Sequence, residues 1–463
     1  MKLTPSSILA LAAVFFIQAT TQLCEAVGAI PIWNAMVPDK GLTPMIHVSL
    51  PGGSSDIPMM VDTGSDAIAF CKSVEMSTNA ESTGKYSCTS YGESTATEEE
   101  GWAGELYDTN LILGSNNETV LVSSVKVFQM EVYGNAGTTN ICEPPSLNGI
   151  MGISPLSQVL YDALPTPTEI SPAQCVITNN KSNTTLVPQF LSSVVTEDDQ
   201  YTFGFLGMAP YRNSSTNHGD SVLAFGATAQ QRVQDRVRTG SVSFAEHNTI
   251  ETLTYQFAGP VTYEFVGLKD DDCEDLFLNG DCSYTFVPYT GTNVTDENKY
   301  GNAYIDSGTT ALILPTVFQD SDFQPLITDD TMLTITVGDA ALEFDADFLR
   351  YLIGKGMLFG EGYTGVNILG LPVFWKYDIL FDVDLEKLKI GSDSSYGGVT
   401  FYERPLDDEY YATAAALPLP PPVAAPPVAE SSNDVSTAVP MQRTAWATFV
   451  VVVCAAAGLL LVF

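Results

Sequence analysis

Residues 57–70 read IPMMVDTGSDAIAF, and residues 302–315 read NAYIDSGTTALILP. Each stretch places the pattern Asp-Thr/Ser-Gly-Ser/Thr after an apolar run, with the acids at Asp62 and Asp306. One such tetrapeptide arises by chance on the order of a few times in a hundred chains of this length, and alone it would indicate a turn. Two copies between apolar runs are far less accidental, so they predict a matched pair of acidic loops.

The residues of these loops suit acid–base chemistry. A strand delivers each carboxylate, and Gly64 and Gly308 permit a tight turn. Neighbouring hydroxyls can orient and tune the acids, namely those of Thr63, Ser65, Ser307 and Thr309. If the loops meet, Asp62 and Asp306 cannot both ionise readily, so they share a proton; one then activates a water while the other protonates the developing oxyanion. This predicts hydrolysis through a tetrahedral diol without an acyl-enzyme, a cofactor or a metal, and the pair titrates as a unit.

A second glycine motif follows each acidic loop. Ile150-Met151-Gly152 lies in LNGIMGIS, and Ile368-Leu369-Gly370 lies in VNILGLPVF. The four-part order resembles the pepsin family of aspartic proteases over about residues 45–392. The resemblance implies a mostly β, bilobed fold with the active site in the cleft between two β lobes, and each glycine motif threading beneath an aspartate loop. It also implies a monomeric aspartic endopeptidase that acts on peptide or protein substrates.

Strand-like runs dominate between about residues 27 and 405. Segments rich in β-branched and aromatic residues alternate with Gly, Pro, Asn and Asp, which favours a mostly β protein. They include MIHVSL, NLILG, SSVKVFQMEVYG, VLAFG, SVSFAEH, TYEFVGL, MLTITVG and YDILFDV, while DADFLRYLIGKGM is a helix candidate. We expect an N-terminal catalytic lobe at residues 27–247 and a C-terminal catalytic lobe at residues 248–405.

The pepsin family covers its cleft with a β-hairpin flap that usually carries a tyrosine. The segment EEEGWAGELYDTNLIL, with Trp102, is similar to the return strand of that flap, especially in the membrane-tethered beta-secretases; the organisation of the chain also resembles that of yapsins. Thr97 occupies the nearest position to the tyrosine, and Tyr91 would serve if the flap is enlarged. Ala69 replaces a tryptophan common in the family. Flap mechanics and substrate preference stay open.

The chain is strongly acidic, with 55 Asp and Glu against 19 Lys and Arg and a formal net charge of -36. Nucleic acid and anionic lipid headgroups would be repelled, so neither is expected as a partner. The acidity fits either a solubilising surface or adaptation to an acidic compartment. Only 3 histidines are present, so acidification would mainly neutralise carboxylates.

The first residues predict export. Residues 1–26 contain a Lys, an apolar stretch from Ile8 to Ile17 and a small-residue site at Cys24-Glu25-Ala26, which is typical of a cleaved signal peptide. The stretch could alternatively remain as a membrane anchor. An exported chain enters an oxidising lumen, so we expect the catalytic lobes to be lumenal or extracellular, in the secretory pathway, at the cell surface or on an endolysosomal membrane.

The cysteines and the N-glycosylation motifs are consistent with an exported protein. With Cys24 in the signal and Cys454 in the tail, six cysteines remain as disulfide candidates: Cys71, Cys88, Cys142, Cys175, Cys273 and Cys282. The sequence does not fix the pairing, although sequential pairs (71 with 88, 142 with 175, 273 with 282) close the shortest loops. The glycosylation candidates are Asn117, Asn180, Asn183, Asn213 and Asn293.

The C-terminal end predicts a membrane tether. Residues 406–443 are rich in Pro and Ala and read as an extended stalk. Thr444 to Phe463 is an uncharged run of 20 residues, long enough to span a bilayer. Small residues at 431–433, the spacer after them and the absence of a basic flank beyond the run favour a signal for a glycosylphosphatidylinositol anchor. A retained transmembrane helix is the alternative.

Other classes of function fit less well. The chain has no GxSxG motif of a serine hydrolase and no HExxH motif of a zinc protease. The main alternative is a catalytically silent binding protein, adhesin or inhibitor on the same fold, because a fold alone does not guarantee activity. Both acidic loops are intact, which favours the enzyme.

Overall fold

The computed structural model describes residues 28–37, 41–65, 67–91, 100–115, 118–133, 142, 147–154, 160, 200–208, 221–245, 255–269, 282–286, 302–313, 323–354, 357–358, 366–384 and 395–404. The strands are β1 Ala29–Pro31, β2 Trp33–Val37, β3 Gly41–Ser49, β4 Ile57–Asp62, β5 Ile68–Cys71, β6 Glu81–Tyr91, β7 Glu100–Ser115, β8 Glu118–Tyr133, β9 Gly149–Gly152, β10 Gln200–Leu206, β11 Val222–Phe225, β12 Arg238–Ser243, β13 Val261–Leu268, β14 Ser283–Phe286, β15 Asn302–Ile305, β16 Ile327–Val337, β17 Ala340–Asp345, β18 Val366–Leu369, β19 Tyr377–Asp384 and β20 Gly397–Glu403. The helices are α1 Gly226–Val233, α2 Ala346–Gly354 and α3 Leu371–Lys376, with a 3-10 turn at Gln324–Leu326.

An eight-stranded sheet forms most of the first half, in the order β2-β3-β4-β9-β5-β8-β7-β6. The three central strands β4, β9 and β5 are buried along almost their whole length. Such continuous apolar strands are expected where both faces of a sheet are covered. Because β4 ends at Asp62, the first acidic loop leaves from the middle of this sheet.

A six-stranded sheet combines both halves of the chain, in the order β1-β11-β10-β19-β20-β12. Its central pairing joins β10 of the first half to β19 of the second half, antiparallel, from Gln200↔Asp384 to Phe205↔Ile379. On this pair the rings of Phe203 and Phe381 stack with centroids 4.7 Å apart. Neither half of the chain therefore completes this sheet alone.

The second half adds a four-stranded sheet, β14-β13-β16-β17, and the parallel pair β15-β18. Buried and exposed residues alternate along β17 and along much of β13 and β16, as in a sheet with one face on the core. Helix α2 follows β17 because Asp345 Oδ1 accepts a hydrogen bond from the Phe348 N–H at 2.9 Å and so satisfies a free donor of the first turn. This helix and the strands predicted from the sequence are confirmed.

The mostly β, two-lobed fold class is thus confirmed, while the division at 247/248 stays a prediction because residues 246–254 lie outside the described ranges. The predicted signal peptide, stalk and hydrophobic tail also lie outside them, as do Thr97, Cys175, Cys273 and the five candidate glycosylation sites. Across the part of the chain that the structure describes, no helix has the length and apolar character needed to cross a bilayer.

The sequential disulfide pairing is wrong for two of its three pairs. Cys71 bonds Cys142, with a Cα–Cα distance of 5.5 Å. Cys71 lies in β5 and Cys88 in β6, and the sheet order inserts β8 and β7 between them. Three strand spacings amount to about 14 Å, too far for a disulfide. Cys88 and Cys282 each take part in a disulfide bond as well.

Candidate active site

The first acidic loop is held from below by β9. Strand β4 runs parallel to β9, with Asp62 opposite Gly152. The Gly152 N–H donates to the Ala67 carbonyl at 2.9 Å, and the Ile153 N–H donates to the Asp62 carbonyl at 3.0 Å. The apolar-apolar-glycine segment therefore threads beneath the loop, as the resemblance implies.

The second acidic loop repeats this arrangement. Strand β15 runs parallel to β18, with Ile305 opposite Leu369. The Asp306 N–H donates to the Leu369 carbonyl at 3.1 Å, and the Leu371 N–H donates to the Thr309 carbonyl at 2.9 Å. The two halves thus build the same strand-loop-strand unit from sequences that share little beyond the motifs.

Glycine is required at the crossing points by close approach of the backbone. A Cβ added to Gly152 would lie 2.5 Å from the Ser65 carbonyl oxygen, and one added to Gly370 would lie 2.5 Å from the Thr309 carbonyl oxygen. Real Cβ atoms essentially never come this close to backbone atoms. These two glycines therefore fix how near each supporting strand lies to its aspartate loop.

The two loops are joined crosswise by their hydroxyl residues. The Thr63 N–H donates to Ser307 Oγ at 3.1 Å, and the Ser307 N–H donates to Thr63 Oγ1 at 2.8 Å. Each hydroxyl then donates to the opposite strand, Thr63 Oγ1 to the Ile305 carbonyl at 3.3 Å and Ser307 Oγ to the Val61 carbonyl at 2.9 Å. Both hydroxyl residues are fully buried, so this reciprocal network fixes the distance between the loops.

Each carboxylate is oriented by its own loop. Asp62 Oδ1 accepts from the Gly64 N–H at 2.8 Å, and its Oδ2 accepts from the Ser65 hydroxyl. Asp306 Oδ1 accepts from the Gly308 N–H at 2.8 Å, and its Oδ2 accepts from the hydroxyl of Thr309 at 2.7 Å. The predicted support residues therefore contact the acids in equivalent ways.

The carboxylates also meet each other. The Gly64 N–H donates to Asp306 Oδ1 at 3.1 Å as well as to Asp62. A Cβ on Gly64 would lie 2.8 Å from Asp306 Cγ, and a Cβ on Gly308 would lie 2.7 Å from Asp62 Cγ. Any side chain at either glycine would displace the opposite acid. The structure thus brings together the two acids that the sequence pattern singled out.

The electrostatics of the pair favour a retained proton. Asp62 is only 7 % exposed. Burial raises the pKa of its carboxyl well above the usual value, and the charge of Asp306 and a hydrogen bond between the two side chains raise it further. Hydrogen bonds from Ser65 and Gly64 lower this pKa and oppose the shift only in part. The pair can therefore hold one proton between two carboxyl groups.

This is a bilobed, pepsin-like fold. No protein-family model matches the chain, and no curated protein matches its sequence. A solved structure to which it is similar is the crystal structure of an aspartic proteinase from Irpex lacteus, with 14% sequence identity, a TM-score of 0.48, and coverage of 81% of this chain and 97% of that chain. The assignment of the fold rests on the geometry of the two acidic loops and not on this similarity.

Two of the three flap candidates lie in the antiparallel strands β6 and β7. Tyr91 ends β6, where it pairs with Glu100, and Trp102 lies early in the return strand opposite Thr89. The Trp102 side chain is buried and packs on Phe128, with ring centroids 5.1 Å apart. The ring of Trp102 thus belongs to the core of the sheet, and its place in a flap stays a prediction.

Sequence reasoning missed the groups that surround the loops. Thr310 Oγ1 donates to the Leu42 carbonyl at 3.2 Å and so joins the second loop to β3. Tyr255 contacts the segment that follows Gly152. Thr310 directly follows the second motif and could have been suspected for that reason, whereas no local pattern marks the tyrosine.

Proposed function

We propose that the chain is an aspartic endopeptidase that hydrolyses peptide bonds with one water and the pair Asp62 and Asp306. The observation that carries this proposal is the meeting of two carboxylates, one deeply buried and with a raised pKa, across loops that hold each other by reciprocal hydrogen bonds. A purely structural role gives no reason to bury two like charges in contact, because such a pair is costly unless it shares a proton.

The reaction follows from the shared proton. With one proton on the pair, the ionised carboxyl takes a proton from a water as that water attacks the scissile carbonyl, and the protonated carboxyl donates to the developing oxyanion. The gem-diol then collapses: the carboxyl that took the proton of the water gives it to the amide nitrogen as the C–N bond breaks, and the other carboxylate takes back a proton from a diol hydroxyl. Activity should fall when both acids are protonated and again when both are ionised, so the pH profile should be bell-shaped.

The first prediction concerns these two acids. Asp62→Asn and Asp306→Asn should each abolish cleavage of a denatured protein substrate between about pH 3 and 7, because an amide can neither take nor supply the shared proton. The matched control is Asp329→Asn, because the side chain of Asp329 is 95% exposed and so lies at the surface. The measurement is release of peptides by the purified protein and its three variants.

Each outcome is informative. Acid-peaked cleavage that survives in Asp329→Asn and disappears in both other variants supports the proposal. A folded wild-type protein that is inert over the whole range contradicts it and favours a silent binding protein. Activity that persists in Asp62→Asn would show that the reaction does not use the pair.

We further propose that the protein works in the secretory pathway, at the cell surface or on an endolysosomal membrane. The support is the sequence of residues 1–26 and 406–463. Treatment of cells with a phosphatidylinositol-specific phospholipase should release a lipid-anchored protein, whereas a protein with a retained helix would require detergent. A protein found in the cytosolic fraction without either treatment would contradict the proposal.

A further inference from the structure

Tyr255 is a fully buried residue whose backbone takes an uncommon conformation. It has a φ of 52°, in the left-handed region that bulky residues rarely adopt. Its ring packs against Phe244 at 5.1 Å and Phe381 at 4.9 Å between centroids. Such strain persists only where the surroundings over-determine it, often near active sites.

The hydroxyl of Tyr255 reaches the support of the first acidic loop. It donates to the Ile153 carbonyl at 2.8 Å across 102 positions of the chain. Ile153 in turn donates its N–H to the carbonyl of Asp62 at 3.0 Å. Only one residue therefore separates the tyrosine from the backbone of the buried catalytic candidate.

The residues after Tyr255 support the second acidic loop. Gln256 pairs with Tyr304 in an antiparallel bridge, and the Phe257 N–H donates to the Ala303 carbonyl at 2.8 Å. Tyr304 and Ala303 belong to β15, which delivers Asp306. The short segment 255–257 thus contacts the supports of both acids, one through a side-chain hydroxyl and the other through backbone hydrogen bonds.

The hydroxyl is a permanent donor. Burial raises the pKa of Tyr255 well above its usual value, and proximity to Tyr396 raises it further. The phenol stays protonated throughout the acidic range. The Tyr255 N–H donates to the hydroxyl oxygen of Tyr396 at 3.2 Å, which fixes the backbone from the other side.

The geometry points to Tyr255 as a positioning residue whose hydroxyl, through Ile153, sets the separation of the Asp62 and Asp306 carboxyl groups. This inference rests on the proposed peptidase function. The tyrosine is fully buried, and it acts on the carboxyl pair through the backbone. The Tyr255 hydroxyl bonds the Ile153 carbonyl in the first half of the chain, while the backbone of Phe257 bonds β15 in the second half. One segment therefore holds the two acidic loops at a fixed separation.

The test is Tyr255→Phe in the full chain, assayed on the same denatured protein. The change keeps the ring and its packing but leaves the Ile153 carbonyl without this donor. We expect kcat to fall roughly tenfold with little change in KM, since loss of one buried hydrogen bond corresponds to about that factor. Weaker coupling between the carboxyls should also shift the basic limb of the pH profile toward lower pH, because the charge of Asp306 helps to raise the pKa of Asp62.

The matched control is Tyr263→Phe. Tyr263 is also fully buried, but its hydroxyl has no hydrogen-bond partner among the residues that the structure describes. This control should keep the wild-type kcat and pH profile. Replacement of Tyr255 by 4-aminophenylalanine, which retains a para donor, should restore kcat toward the wild-type value.

The outcomes separate the two proposals. An inert wild-type protein refutes the peptidase function itself. An active wild-type protein with a Tyr255→Phe variant that loses only thermal stability, and keeps kcat and both limbs of the pH profile, overturns the positioning role. Should Tyr255→Phe fail to fold, 4-fluorophenylalanine at this position fills the space of the hydroxyl without donating, and the same criteria apply to it.

Discussion

The carboxyl of Asp62 couples the stability of the protein to pH in a direction unusual for an aspartate. Its raised pKa means that the folded state binds the proton more tightly than the unfolded chain. Its contribution to stability is then fully present below the ordinary carboxyl pKa and is lost as pH rises through the folded-state pKa. The Asp62 carboxyl therefore opposes folding at neutral pH.

Asp62→Asn should remove this destabilisation of the folded state. The asparagine is neutral at every pH, so the variant should gain stability over the wild-type protein at pH 7 and show little or no gain near pH 4. Thermal unfolding at both pH values measures the difference. An equal change in melting temperature at pH 4 and pH 7 would show that the carboxyl is not held protonated by the fold.

The crossed hydroxyls of Thr63 and Ser307 should contribute to stability as a unit. Thr63→Val leaves the Ser307 N–H and the Ile305 carbonyl without their partner, at a cost of about 1–3 kcal/mol in the free energy of unfolding. Ser307→Ala should cost a similar amount, and the double variant should cost less than the sum because the first change already loosens the loops.

A buried threonine elsewhere in the fold provides the control for this cycle. Thr109 lies in β7, and its Oγ1 has no hydrogen-bond partner within the described part of the chain. Thr109→Val should therefore be neutral or slightly stabilising in denaturant unfolding. A loss as large as that of Thr63→Val would mean that burial of valine, and not the lost hydrogen bonds, explains the effect.

Among the secondary-structure elements, the crossing at the end of β18 beneath the second loop tolerates no added side chain without a shift of the backbone. Gly370→Ala would push its Cβ against the Thr309 carbonyl, and Thr309 holds Asp306 through its hydroxyl. If the Asp306 carboxyl is displaced by about 1 Å, the rate can fall on the order of 100-fold, so we expect that loss in kcat. Gly354→Ala at the end of α2, where nothing lies within 4 Å of the added Cβ, should retain full activity.

The sequence predicted these elements correctly where adjacent residues carry the whole pattern. The two aspartate motifs and the segments around Gly152 and Gly370 are each read from a few adjacent residues, and the structure brings them together. The bond of Cys71 to Cys142 depends on the order of strands in a sheet, which adjacent residues do not encode. The contact of Tyr255 with Ile153 has the same origin, since it spans 102 positions.

At the scale of the whole molecule, the six-stranded sheet makes the two halves interdependent. A fragment of residues 28–247 would expose β10 and β12 without β19 and β20, and residues 248–404 would leave those two strands without these partners. Unpaired strand edges promote aggregation. We expect neither fragment alone to unfold cooperatively, and we expect refolding of the mixture to restore peptidase activity. A separate cooperative transition in the first fragment would contradict this view.

The order of that sheet also determines when the fold can be completed during synthesis of the chain. Strands β1, β10, β11 and β12 emerge from the ribosome long before β19 and β20, and Asp62 emerges long before Asp306. The sheet thus lacks two of its six strands, β19 at its centre and β20 beside it, until the last of the described strands has left the ribosome. If the chain is the peptidase proposed above, a nascent chain should therefore show no peptidase activity until β20 has left the ribosome.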